Sequence, residues 1–421
     1  GAIAAARETR PASDALRRYY FSAVDDAART QRYELAARRK AVVDAEEPMQ
    51  EVAVMRELPE PRPTYVLARG AYDAPRTAES RVERNAFAAI LPPLPADAPR
   101  NRLGLARWLT QPDHPLTARV FVNRVWANFF GRGLVTTPEN FGSQGAPPTH
   151  PELLDWLARD FVDNGWDVKR LCRQVVLSAT YQQDSRATPA QRAADPENAL
   201  LARGPSFRLS AEQLRDQALA ASGLLYEQVG GPPVSPYQPG DDLWRESNVM
   251  SPPYQRSDGR ALYRRSLYSV WKRTAPLPNM LAFDSPTREV CTVSRSRTNT
   301  PLQALVLLND VQFVEAARAL ALRVWRAPAA AAPHEAGAPL ASIDEAFTAV
   351  TGRPATARER QLLGELYQQQ LALFAEAPAD EVARFLALGE FAHDTPPTPE
   401  LAALTVTCQA ILNLDAAIMR R

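Results

Sequence analysis

Lysine is almost missing from this 421-residue sequence: Lys40, Lys169 and Lys272 stand against 46 arginines. Such a skew reflects genome composition as readily as chemistry, so arginine alone means little. A lysine kept on this background differs from arginine in shape and pKa, which singles out Lys272. Cysteine is equally scarce. Cys172, Cys291 and Cys408 lie far apart with no CxxC or CxxCH, which excludes a dense disulfide framework and a covalent haem site within these residues. They read as buried thiols, with one disulfide left open. The four histidines, His114, His150, His334 and His393, are not spaced like a zinc site. No metal or covalent cofactor is therefore expected, although oxygen-ligand calcium sites stay open. No apolar run approaches the roughly 18 residues that span a bilayer. A net charge of +1 gives no global basic field for nucleic acid. The first residue is Gly, and no apolar leader follows it, so a processed product or a fragment is expected.

What is present is helical punctuation. An apolar content of 45% excludes disorder of the whole. Residues 14–45 lack Gly and Pro and carry apolar groups near helical spacing, which predicts one long helix or a helical hairpin. Two β-rich runs between 52 and 72 flank a Pro-rich connection. From 101 onward helices follow one another, over 115–134, 150–166, 167–183, 210–231 and 300–325. Thr149, Ser210 and Thr300 are their candidate N-caps. Residues 232–262 read as a long irregular loop, and 326–340 as a disordered connector. Four more helices are predicted at 342–351, 356–376, 379–389 and 398–419. The fold class is mainly α, a multi-helix globular domain with minor β near 52–72 and 264–295. Four segments are expected: a helical arm over 1–50, a β element and linker over 51–100, a core domain over 101–326, and helices packed on it over 341–421.

Charge is unevenly placed. Between Arg256 and Arg297 nine basic side chains face three acids, Asp258, Asp284 and Glu289. That local excess of six leaves about −5 for the rest of the chain. Aromatics interleave, and "RSLYSVWKR" alternates well enough for a short strand. "SRSRTNTPLQ" then brings cations to a helix start, where free N–H groups and the helix dipole favour an anion. Arg265, Trp271, Lys272, Arg273, Arg288, Arg295, Arg297, Asn299 and Thr300 form the candidate anion site. Arg265, Lys272, Arg295 and Arg297 are expected to converge on the start of the 300–325 helix. The alternative is structural: arginines that pair with helix acids and cover apolar surface with their stems. A second polar cluster, Arg119, Asn123, Arg124, Trp126, Glu139 and His150, includes a helix face at i, i+4, i+7. Spacing assigns no nucleophile or acid–base pair.

The long motifs "NRLGLARWLTQPDHPLTARVFVNRVWANFFGRGLV", "DPENALLARGPSFRLSAEQLRDQAL" and "LYRRSLYSVWKRTAPLPNMLAFDSPTREVCTVSRSRTNTPLQALVLLND" resemble the planctomycete cytochrome-c-associated family of large secreted proteins. The resemblance is dense over 52–325 and looser beyond. It implies an exported protein, periplasmic or extracellular, whose C-terminal domain has no assigned function. It implies as partners a cytochrome c module or a preceding helical domain of the same protein, with any haem outside this chain. "LNLD" near 413 resembles the family's usual end, so the chain is expected to be a C-terminal half. Two functions follow as expectations. One is an enzyme module acting on an anionic, sulfated or carboxylated glycan-like ligand. The other is a non-catalytic assembly domain that scaffolds a cytochrome or an enzyme.

Overall fold

The computed structural model describes residues 13–49, 52–87, 91–240, 244, 253–325 and 338–420. It is mainly α, and its β structure amounts to two short two-stranded sheets. The chain divides into two compact units, 1–86 with 97–104, and 87–96 with 105–421.

The first unit opens with α1 (Asp14–Tyr19), a π-helical turn over Tyr20–Val24 and α2 (Asp26–Glu46). The single helix expected over 14–45 is thus interrupted. Asp25 leaves helical geometry and its side chain caps α2 by accepting from Ala28 N at 3.1 Å. Neither helix buries a residue. β1 (Thr64–Tyr65) pairs antiparallel with β2 (Arg81–Val82), so the minor β of 52–72 finds its partner further along the chain.

In the second unit, three helices form one layer: α4 (Thr117–Phe130), α5 (Pro151–Asp163) and α6 (Val168–Leu177), after α3 (Arg102–Leu109) at the division between units. Trp126 stacks on Phe130 at 4.1 Å and Phe121 on Phe161 at 5.0 Å. With Val122, Leu157, Leu171 and Val175 they make one core. A short α7 (Pro189–Ala194) and β3 (Phe207–Arg208) lead to α8 (Ala211–Ser222), then α9 (Pro278–Ala282), α10 (Pro301–Asn309) and α11 (Val311–Val324). The predicted 300–325 helix divides at Asp310, whose carboxylate caps α11 by accepting from Gln312 N at 3.0 Å.

The remaining helices are α12 (Ala338–Thr351), α13 (Ala357–Glu376), α14 (Ala379–Leu386), α15 (Pro399–Asn413) and α16 (Asp415–Ile418), before β4 (Met419–Arg420). α11 packs against α8, α12 and α15, and α15 also against α13. Both α11 and α15 are buried nearly all round, including the polar side chains of Gln312, Glu315 and Arg318 in α11 and of Thr405, Thr407 and Gln409 in α15. Ala316, Ala317, Ala402 and Ala403 expose nothing and let the backbones approach. β4 returns to pair antiparallel with β3.

The β structure of 264–295 is limited to two isolated parallel bridges, Tyr226 with Arg264 and Val234 with Ser269. Residues 259–263 and 266–268 are 3-10 turns. The facing segment contains Gly230, Gly231, Pro232 and Pro233. Prolines supply no N–H, so a ladder cannot extend through them. The three cysteines are free, and the expectation of three buried thiols is corrected: Cys408 is buried, Cys172 half-buried and Cys291 exposed. Of the disordered connector expected over 326–340, residues 326–337 lie outside the described residues, and 338–340 are corrected to the start of α12; part of the 232–262 loop also lies outside the described residues.

Candidate functional site

A cleft of about 690 Å³ opens in the second unit where four pieces of chain meet. The first is the end of α4 with the loop behind it. Asn123 is buried and clamps that loop, donating to Val135 O at 3.0 Å and accepting from Val135 N at 2.9 Å. Gly131 ends α4 in the left-handed region at φ +78°, and a Cβ there would stand 2.5 Å from the Phe207 ring. The second piece is β3, which places Phe207 and Arg208. The third is the start of α8, where Ser210 and Gln213 form a capping box. The fourth is the strap 284–300 that runs into α10.

Five guanidiniums line this cleft: Arg124, Arg132, Arg208, Arg295 and Arg297. Two carboxylates line it with them, Glu212 and Asp284, and both are committed. Asp284 accepts from Thr298 N at 2.7 Å and from Thr298 Oγ1 at 2.8 Å. Glu212 takes Arg295 Nη1 on both oxygens, at 3.0 and 2.9 Å. Burial raises the Glu212 carboxyl, but its own backbone N–H and Arg295 outweigh that and leave it below the ordinary range. Arg208 is buried, donates to Asn299 Oδ1 at 3.2 Å, and burial pushes its pKa down. Arg297 lies over the Phe207 ring at 4.6 Å and donates to Gly131 O at 3.1 Å. It is exposed as a residue, yet burial around its guanidinium pushes its pKa down too. Arg132 pairs outside the cleft with Glu197. Arg124, Arg208 and Arg297 form no ion pair among the described residues.

Of the nine residues of the candidate anion site, Arg295 and Arg297 line the cleft, Asn299 holds Arg208 beside it, and Thr300 caps α10 through a capping box with Gln303. The expected convergence of four cations is corrected. Arg265 lies 3.6 Å from Asp216, which also binds Ser266 N and Oγ at 2.7 Å each. Lys272 donates to Trp244 O at 2.9 Å. Trp271 donates to Thr287 O at 2.9 Å, Arg288 covers its ring at 4.5 Å, and Arg273 is exposed. A 3-10 turn over Ser266–Tyr268 stands where "RSLYSVWKR" was expected to form a short strand.

The second cluster separates likewise. Arg124 faces the cleft, Asn123 clamps its wall and Trp126 is core. Arg119 binds Asp155 and Pro115 O, each at 2.6 Å. Glu139 is exposed, and His150 precedes α5 without a side-chain cap. Among the described residues no group of three or more His, Cys, Asp or Glu could hold a metal ion.

A family model described as "PSD1: Protein of unknown function (DUF1553)" matches residues 101–367. The chain belongs to this family. No curated protein and no solved structure matches it. Every residue lining the cleft lies inside the DUF1553 span. Sequence reasoning missed Arg132, Arg208 and Glu212 as cleft residues, while Asp284 was among the acids expected to face the cations. "FRLSAEQ" carried a usable signal: an arginine just before a capping box whose first turn holds a carboxylate.

Proposed function

We propose that this DUF1553 cleft binds an anionic ligand of the sulfated or carboxylated glycan class. Following the resemblance to the planctomycete cytochrome-c-associated proteins, we place its work outside the cytoplasm, beside a cytochrome c module or a preceding helical domain. The observation that carries the reading is a charge mismatch inside one cleft. Five guanidiniums line it, and both of its carboxylates already hold fixed donors. Guanidiniums match planar and tetrahedral oxyanions with paired N–H groups, and a desolvated one gains most from such a partner. The geometry supports binding more than chemistry, because neither carboxylate is left poised to move a proton.

Calorimetry with a heparin-derived tetrasaccharide, trigalacturonate and the neutral cellotetraose tests this. The sulfated or carboxylated sugar should bind, the neutral one should not, and added salt should weaken binding. Arg124→Ala, which breaks no hydrogen bond or ion pair among the described residues, should cost about tenfold in affinity. Equal binding of the neutral sugar, or an unaffected Arg124→Ala, would overturn the reading. The assembly-domain alternative draws on a different feature. Leu302, Leu305 and Leu308 stand exposed along one stripe of α10. Binding of a protein partner abolished by Leu305→Glu, with all sugars inert, would favour it.

A further inference from the structure

Residues 287–300 are exposed along their whole length, yet the strap is fastened. At one end Thr287 O accepts from Trp271 and Arg288 covers that indole. At the other, Thr298 is held by Asp284 and Arg297 by Gly131 O and Phe207. Between Arg288 and Arg297 the hydrogen-bonded tie among the described residues is Arg295 to Glu212. Glu212 stands in the first turn of α8, so its carboxylate occupies the cleft with the geometry of a bound anion on an arginine.

Resting on the anion-binding reading above, we propose that Glu212 is an internal stand-in for the ligand. It holds Arg295, and with it the middle of the strap, until an external oxyanion takes Arg295 over. The exchange is electrostatically feasible at both ends. Arg295 trades one carboxylate for another oxyanion. Glu212, once released, keeps its own backbone N–H and the positive end of α8. The latch thereby sets a threshold: a ligand must out-compete an anion already present at high effective concentration. A ligand with several anionic groups does this more readily than a singly charged one, because Arg124, Arg208 and Arg297 hold its other groups meanwhile.

Glu212→Gln should therefore tighten the heparin-derived tetrasaccharide by about fivefold. Removing any negative charge from the cleft would help an anion somewhat, so the cycle with Arg295 is decisive. In an Arg295→Ala background the gain from Glu212→Gln should vanish, since Glu212 acts through Arg295. A nitroxide label on the exposed Cys291 should become more mobile in both single variants while the amides of α11 stay protected from exchange, which also shows that they fold. A gain that persists without Arg295, no gain at all, or a label no more mobile in Arg295→Ala overturns the latch. If parent and variants alike ignore the tetrasaccharide, the anion reading falls and the latch with it. A parent that binds while Glu212→Gln gains nothing sinks the latch alone.

Discussion

Arg215 shows what arginine does in this molecule away from the cleft. It is buried in α8, and its two terminal nitrogens reach Arg264 O and Leu262 O, each at 2.7 Å. Arg264, also buried, gathers the carbonyls of Gln228, Gly230 and Pro232. Arg318 does the same for Leu386 and Phe391. Irregular chain passing over a helical core leaves carbonyls without ladder partners, and a planar five-donor fork satisfies several at once. Burial pushes Arg215 down to about 10, so it remains charged at neutral pH, with Asp216 partly offsetting the loss of water. A lysine gathers its three donors on one nitrogen and lacks the planar fork that meets these two carbonyls side by side. Arg215→Lys should cost about 2 kcal/mol, because both carbonyls are no longer met in good geometry. A urea midpoint unchanged from the parent would show that the fork is dispensable. None of this is visible in spacing: Arg264 and Arg265 are neighbours in the sequence, yet one is buried under carbonyls and the other is paired at the surface.

Helix starts were the most legible elements, because a cap is a local device. Ser210–Gln213 and Thr300–Gln303 form capping boxes where the sequence places Ser210 and Thr300 as N-caps, and Thr356–Glu359 forms another. Breaks within helices were harder to see. Asp25 and Asp310 lie inside continuous helical periodicity and act as caps only because the chain turns there. The Glu359 box has a further partner, Arg353, which grips both carboxylate oxygens at 2.6 and 2.9 Å. That grip, helped by Thr356, holds the Glu359 carboxyl down at about 2, against an ordinary 4.5. The folded state thus takes up this proton less readily than the unfolded state. The contribution is complete above about pH 4.5 and is lost as pH falls toward 2. Glu359→Gln should cost about 1 kcal/mol at pH 7, and the gap to the parent should narrow as pH falls from 4.5 toward 2 in paired thermal melts. A gap that stays constant with pH would assign the effect to packing instead.

At the scale of the whole second unit, the cleft depends on contacts between residues more than two hundred positions apart, which is why spacing could not reveal it. The pairing of β3 with β4 sets Phe207 opposite Arg420 and Arg208 opposite Met419. Leu209 N donates to Ile418 O at 3.0 Å, and Gln217 in α8 donates to Ala417 O at 3.0 Å. Arg420 reaches Tyr181 OH at 2.8 Å, joining the same strand to the layer built by α4 and α6. The sequence did announce α15 and its apolar faces. It held no cue that the short segment after it would back the strand carrying Arg208, since two-residue strands have no periodicity to read. The dependence makes a prediction. Ending the chain after Leu414 removes α16 and β4, including buried Ala417 and Ile418. The loss of Ile418 burial alone should cost about 2–5 kcal/mol. With β3 unpaired, Phe207 no longer backs Arg297, so tetrasaccharide affinity should fall together with the melting temperature. Ile418→Ala separates the two effects, because it keeps the strand pairing and should lower stability while sparing most of the affinity. If the truncated chain binds the tetrasaccharide as the parent does, β3 holds its place without β4, and the cleft is assembled by α4, α8 and the strap alone.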